Sequence, residues 1–332
     1  MTVRLARGLI AAIIVPAAAV AGCLTTSPRV DGGPALIVAY PAGLTQVPLD
    51  GSQPRVIVPA THDGTPRLPA VSPDGTRIAY LLGPPFGTPG PDSAADVWLA
   101  DRDGAHRRKL LSHPQPNHSF RQVAWQDDEH VLVVADVPAQ CDGCNAQTTT
   151  DQRLERVDIT SGDVQALRDG VPEFGLSPDA RWVAFPTPGN DRAEGLQIAP
   201  MNDGQSPQIV VPREAFAQVT SPRYAPGGKT IAFAAAQSRS LRADVTLAGY
   251  APGPLADGLP QDLWMVDADG THLRIVAALR ENAPVIAWDS GGSTIYAVGA
   301  VALYRIDVAS GAVTRIGRGG PAASLTYAPA EH

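Results

Sequence analysis

The chain has 332 residues and a formal net charge of −7, from 26 basic and 33 acidic residues, with no basic stripe. That balance argues against a nucleic-acid partner, which calls for a concentrated positive face. Glycine and proline number 32 each and are spread along the chain; such punctuation excludes long helices and suits many short strands joined by turns.

In chain order, Arg4 and Arg7 come first, followed by an uncharged run from Leu9 to Ala21 broken only by Pro16. A charged start before an apolar stretch is the pattern of a secretory signal, and this run is shorter than the roughly 20 residues that span a bilayer. The box that follows, Val20-Ala21-Gly22-Cys23, resembles the lipobox of bacterial lipoproteins. The resemblance implies a diacylglycerol on the Cys23 thiol, cleavage before Cys23 and acylation of the new N-terminus. Two or more chains on one residue make a stable anchor where a single chain is marginal. The alternative is an ordinary signal peptide with a chance cysteine near its end. The expected organisation is a signal peptide over residues 1–22, a lipidated Cys23 with a flexible tether to residue 35, and a folded domain over 36–332. Such a chain is exported and held at the outer face of the cytoplasmic membrane.

Removing the first 22 of 332 residues leaves 310, within the range of large all-β domains. Internal repetition organises them. Residues 68–111 contain SPDG, an apolar strand, a variable loop, an alternating strand and a second Asp-Gly turn; residues 222–277 repeat that order around APGG and DADG. Weaker copies begin near Val123, Gly175 and Ile286. Aligned on the first turn, the anchors are Ser72, Gln126, Ser177, Ala225 and Asp289, spaced by 54, 51, 48 and 64 residues. Each spacing suits one four-stranded propeller blade. A sixth copy is split: residues 325–332 supply an innermost strand and residues 36–58 the other three, which closes the ring without a free sheet edge. The expected fold is therefore all-β, a six-bladed β-propeller of four-stranded blades closed by a blade shared between the N- and C-termini. Val71, Trp125, Leu176, Tyr224, Trp288 and Tyr327 precede the six turns and are expected to fill the space between blades.

The pattern SPDG-x-x-IAY followed by DVWLADRDG is similar to the repeat of TolB-like and WD40-like propellers, over essentially all of residues 36–332. The matching residues belong to turns and core, so they bear on fold more than on function. One departure is that the chain places a tether where TolB carries an α/β domain. Abundant Ala, Gly, Pro and Arg, with lysine only at Lys109 and Lys229, suit a GC-rich, actinobacterial genome.

Three features bear on function. Cys141 and Cys144 leave an even pair once Cys23 is lipidated; in an oxidising compartment a disulfide pinning a loop is the favoured reading, with a reducible bond left open. The long insertions, 82–95, 135–151, 187–194 and 235–261, all join second to third strands and so share one face over four adjacent blades. The largest carries Arg239, Arg242 and Tyr250, residue types favoured as interface anchors. Finally, two residues before each turn the copies read Ala70, Ala124, Gly175, Arg223, Ala287 and Thr326. Arg223 is the exception to small residues near the axis, and Glu173 on the adjacent blade is its expected partner in a structural plug, the alternative being a ligand-binding role.

No nucleophile elbow or dinucleotide fingerprint is present, and His113 and His118 in a Pro-rich connection read as solvated rather than metal-binding. No cofactor is expected. The expected function is non-enzymatic: a monomeric, membrane-anchored binding lipoprotein presenting its loop-bearing face to an envelope protein or glycan. The alternatives are a propeller enzyme with a site at the tunnel mouth, and an accessory regulator of a membrane sensor or transporter.

Overall fold

The computed structural model describes residues 32–85, 94–113, 119–138, 150–187, 194–201, 205–237 and 259–330. Among them every regular element is a strand. The chain opens with β1 (Ala35–Tyr40), β2 (Gly43–Pro48) and β3 (Arg55–Pro59). Blade one follows as β4 (Thr65–Val71), β5 (Arg77–Gly83), β6 (Asp96–Asp101) and β7 (Arg108–Leu111). Blade two is β8 (Phe120–Trp125), β9 (His130–Pro138), β10 (Thr150–Asp158) and β11 (Val164–Asp169). Blade three is β12 (Gly175–Leu176), β13 (Trp182–Pro186), β14 (Glu194–Pro200) and the first part of β15 (Gln208–Tyr224). The second part of β15 opens blade four, which continues as β16 (Thr230–Gln237), β17 (Pro260–Asp267) and β18 (Arg274–Asn282). Blade five is β19 (Val285–Trp288), β20 (Thr294–Val298), β21 (Ala302–Asp307) and β22 (Val313–Arg318). The last strand, β23 (Ser324–Ala328), pairs with β1, giving the order β23-β1-β2-β3 in blade six.

The split closing blade is thus formed as its sequence predicts. One boundary differs from the repeat reading. β15 runs unbroken for 17 residues, pairing through Gln208–Val211 with β14 and through Val219–Tyr224 with β16. Blades three and four therefore share a seven-stranded sheet, because the connection between them keeps extended backbone throughout.

The repeat lives in its turns. In five blades the anchor amide bonds the carbonyl that closes the first turn: Ser72 to Arg77, Gln126 to His130, Ser177 to Trp182, Ala225 to Thr230 and Asp289 to Thr294. A second tie links the two turns of a blade, as from Arg102 N to Thr76 O, Ala268 N to Lys229 O and Val308 N to Ser293 O. The SPDG glycine is used for its left-handed backbone, φ +74° at Gly75. In blade three Ala180 takes the same role at φ +54°, a conformation that strains a residue with a Cβ.

Packing shows the blade count a second way. The buried apolar residues form six clusters, one per seam. Strand alternation assigns them: Leu36 and Val38 of β1 face blade five, while Ile37 and Ala39 face blade one. The residues before the turns seat these seams. Trp125 donates its indole N–H to Ala70 O at 3.0 Å and Trp288 to Arg223 O at 3.2 Å, each reaching the inner strand of the preceding blade. Arg77 lies 5.0 Å over the Trp125 ring, and Tyr327 stacks on Tyr296 at 6.2 Å.

Ring closure has a further fastening in Arg102, whose side chain is buried. Its guanidinium donates to Gly33 O at 3.0 Å, Pro329 O at 2.5 Å and Gly75 O at 3.3 Å. One side chain of blade one thereby holds both ends of the propeller chain. Hydrogen bonds to a charged group contribute about 1.5–3 kcal/mol, and stranding their acceptors adds a desolvation cost. Arg102→Met is expected to lower the unfolding free energy by about 3 kcal/mol. Amide exchange in β1 and β23 should accelerate more than in blade three; equal acceleration in both would mean that the clasp is not local to the closure.

Candidate functional site

The six inner strands enclose an axial cavity of about 270 Å³. The residues predicted to stand near the axis, Ala70, Ala124, Gly175, Arg223, Ala287 and Thr326, all line it, joined by Gln122, Phe174 and Tyr224 among others. Gly175 is small for a measurable reason: a Cβ there would fall 2.3 Å from Pro222 O, because the inner strands of blades three and four approach closely. Arg223 is the one charged side chain in the lining. Its Nη1 donates to Phe174 O at 3.1 Å and Pro222 O at 2.7 Å.

Glu173 lies on the segment leading into β12, and its Oε2 accepts the Ser221 amide at 2.9 Å. The two residues joined in the sequence reading are brought into one neighbourhood, where each feels the other's charge. Their hydrogen bonds go to backbone groups rather than to each other. Protein surrounds Glu173 while the side chain keeps partial solvent contact, and burial pushes its carboxyl up to about 7. The Ser221 amide and Arg223 oppose that rise, and the nearby Glu194 adds to it. Burial also raises Glu194, against the Val219 amide that it accepts at 2.7 Å. Burial lowers the Arg223 pKa, with Glu173 acting in the other direction.

A chain of cross-blade bonds runs round the inner strands. Gln122 Oε1 accepts the Phe174 amide at 2.9 Å and its Nε2 donates to Phe174 O at 2.7 Å. Ser221 Oγ accepts the Ile286 amide, and Ser324 Oγ accepts the Leu68 amide. With Glu173 and Ser221 these tie blade two to three, three to four, four to five and six to one. Nothing in the repeat pattern marks Gln122 or Ser324 for this work, since each looks like an ordinary polar residue in a strand.

The two faces differ as the loop lengths predict. First-to-second and third-to-outer connections lie on one face and run to at most seven residues, the longest being 201–207 in blade three, which equals 187–193 on the other face. The second-to-third connections open on the other: 84–95, 139–149, 187–193 and 238–259, against three residues between β20 and β21 and two between β1 and β2. Arg239, Arg242 and Tyr250, together with Cys23, Cys141, Cys144 and His118, lie outside the described residues. His113 keeps solvent contact but is also tied down: its Nδ1 sits 2.7 Å from Asp96 Oδ1, and Lys109 Nζ lies 2.6 Å from the other oxygen. That carboxylate fastens the blade connection to β6.

Among solved structures the chain resembles TolB from Acinetobacter baumannii, at 16% identity and TM-score 0.59, covering 89% of this chain and 66% of that one. It also resembles a chain of a nidogen/laminin complex, at 11% identity and TM-score 0.62, covering 90% and 100%. A third is an oligogalacturonate lyase in complex with manganese, at 15% identity and TM-score 0.54, covering 87% and 74%. The fold is a TolB-like β-propeller. At these identities the likeness reaches the architecture alone, and the chain spans about two thirds of the Acinetobacter protein. No family model and no curated protein matches the sequence.

In this TolB-like propeller Glu173 makes stability depend on pH with a defined sign. A carboxyl whose folded pKa, about 7, exceeds its ordinary value of 4.5 holds its proton more tightly when folded. Its contribution is complete below about pH 4.5, falls as pH rises toward 7, and is gone above. Glu173→Gln is expected to flatten the fall in stability across pH 5 to 7 and to leave the protein more stable than wild type at pH 8. Urea denaturation at the two pH values checks this; parallel wild-type and variant profiles would contradict it.

Proposed function

We propose that this protein is a lipid-anchored, non-enzymatic binding module of the cell envelope, presenting its loop-bearing face to a protein or envelope glycan. The observation that carries the reading is the opposition of two features across the propeller. The three longest connections, 84–95, 139–149 and 238–259, leave on one face, from blades one, two and four. The chain enters β1 on the other, where Arg102 fixes Gly33 among the short turns. An anchor at Cys23 would reach Gly33 through residues 24–32, ten residue steps or at most about 35 Å at ~3.5 Å per residue. In this reading the tether joins the propeller at the short-turn face and the longest loops are offered outward.

The short-turn face carries charges of both signs, with exposed Asp50, Asp103, Asp128, Asp179 and Asp269 beside exposed Arg107, Arg181 and Lys229. On the opposite face, described carboxylates serve the backbone: Asp262 accepts the Arg280 amide, Glu194 that of Val219, and Glu281 those of Val301 and Ala302.

Two experiments test the proposal. Replacing residues 238–259 by a three-residue turn, like that joining β20 to β21, is expected to preserve cooperative unfolding while abolishing envelope crosslinks made by the wild type. Undiminished crosslinking by the folded variant would overturn the assignment of the face. Cys23→Ser is expected to move the protein from the membrane to the soluble fraction, with loss of the acyl mass; retention at the membrane would remove the anchor.

A further inference from the structure

We propose that the axial cavity is an anion-binding site in which Arg223 holds a small oxyanion or carboxylate. Arg223 uses Nη1 on Phe174 O and Pro222 O. Among the described residues its Nε and Nη2 make no hydrogen bond and neither is sealed from solvent, and Arg223 lines the cavity, so these donors remain for a ligand there. Guanidinium donors in a fixed fork match an oxyanion better than any other side chain. The carbonyl bonds hold the fork in place before a ligand arrives, which lowers the entropy lost on binding.

The surroundings select for an anion. The other lining residues carry no formal charge: Pro69, Ala70, Gln122, Val123, Ala124, Ala287, Trp288 and Thr326 leave Arg223 as the sole ionic feature of the wall. Burial already disfavours the cation and lowers its pKa, so a second negative charge beside it is stabilising. A cavity of about 270 Å³ has the liquid volume of about nine waters, which admits an inorganic oxyanion or a small organic acid and excludes a folded partner. This site is separate from the loop-bearing face and does not depend on it.

Glu173 couples the site to pH. It is the carboxylate that acts on Arg223, and Glu194 acts on Glu173 in turn. Ionised, Glu173 neutralises Arg223 and competes with a ligand; protonated, it leaves the guanidinium free. Glu194 remains a fixed repulsive charge further out whenever it is ionised. Binding is thus expected to tighten as pH falls through about 7.

Sulfate is the probe, since its charge is constant between pH 6 and 8, and the full chain is titrated by calorimetry. Saturable binding several-fold tighter at pH 6 than at pH 8 is expected. Arg223→Gln should abolish it, and Glu173→Gln should bind equally well at both pH values. Salting effects on the fold would act on wild type and Arg223→Gln alike, so equal responses overturn the proposal, as does the absence of saturable binding by the wild type. Should Arg223→Gln fail to fold, Arg223→Lys keeps the cation but not the fork, and undiminished sulfate affinity there also overturns it. Displacement of sulfate by acetate assigns a carboxylate ligand, and failure to displace assigns an inorganic oxyanion.

Discussion

The pairing of β23 with β1 is the constraint on which the rest of the molecule depends. Each seam between blades buries a cluster built from both neighbours, so no blade can bury its two faces alone. An unclosed ring would expose the two clusters that flank blade six and leave two strand edges unpaired. Five residue pairs between Ala35–Ala39 and Ser324–Ala328 prevent this, and Arg102 adds the hydrogen bonds that draw Gly33 and Pro329 to blade one. The contact is the longest-range one in the chain and brings together residues nearly 300 positions apart. Such contacts form late, since loop closure precedes the gain from packing.

Closure also fixes direction. Because β1 is a second strand, the chain enters the propeller at the face of the first-to-second turns, and the antiparallel order of the other blades sends the three longest connections to the opposite face. The entry of the chain at Gly33 and the longest connections therefore lie on opposite faces of the ring. The axis runs between them. Its wall is made small by close strand approach, as at Gly175, and charged at one position by Arg223.

Much of this was legible in the sequence because the repeat is written in turn chemistry. An anchor residue, a Pro-Asp-Gly or Pro-Gly-Gly turn and a large residue just before it specify a local hydrogen-bond pattern, and local patterns survive in a single sequence. The departure of Arg223 from the small axial residues was visible by the same comparison. What escaped depends on contacts between distant segments. Arg102 reads as one more charge in a DRDG turn until the ends of the chain fold against it. Gln122 and Ser324 read as ordinary strand polar residues until the neighbouring blade presents an amide. The continuity of β15 does not show in the repeat pattern, and the tie of His113 to Asp96 spans 17 positions that include β6 and β7.

The orientation implied by ring closure is most directly tested within a single blade. Ser290 lies in the short turn between β19 and β20, and Val301 in the turn between β20 and β21 at the opposite face. A fluorophore is placed on Ser290→Cys or Val301→Cys in the membrane-bound protein, and quenching by a spin-labelled headgroup lipid is measured for each. The account predicts stronger quenching at position 290 than at 301. Equal quenching at the two positions, or stronger quenching at 301, would contradict it.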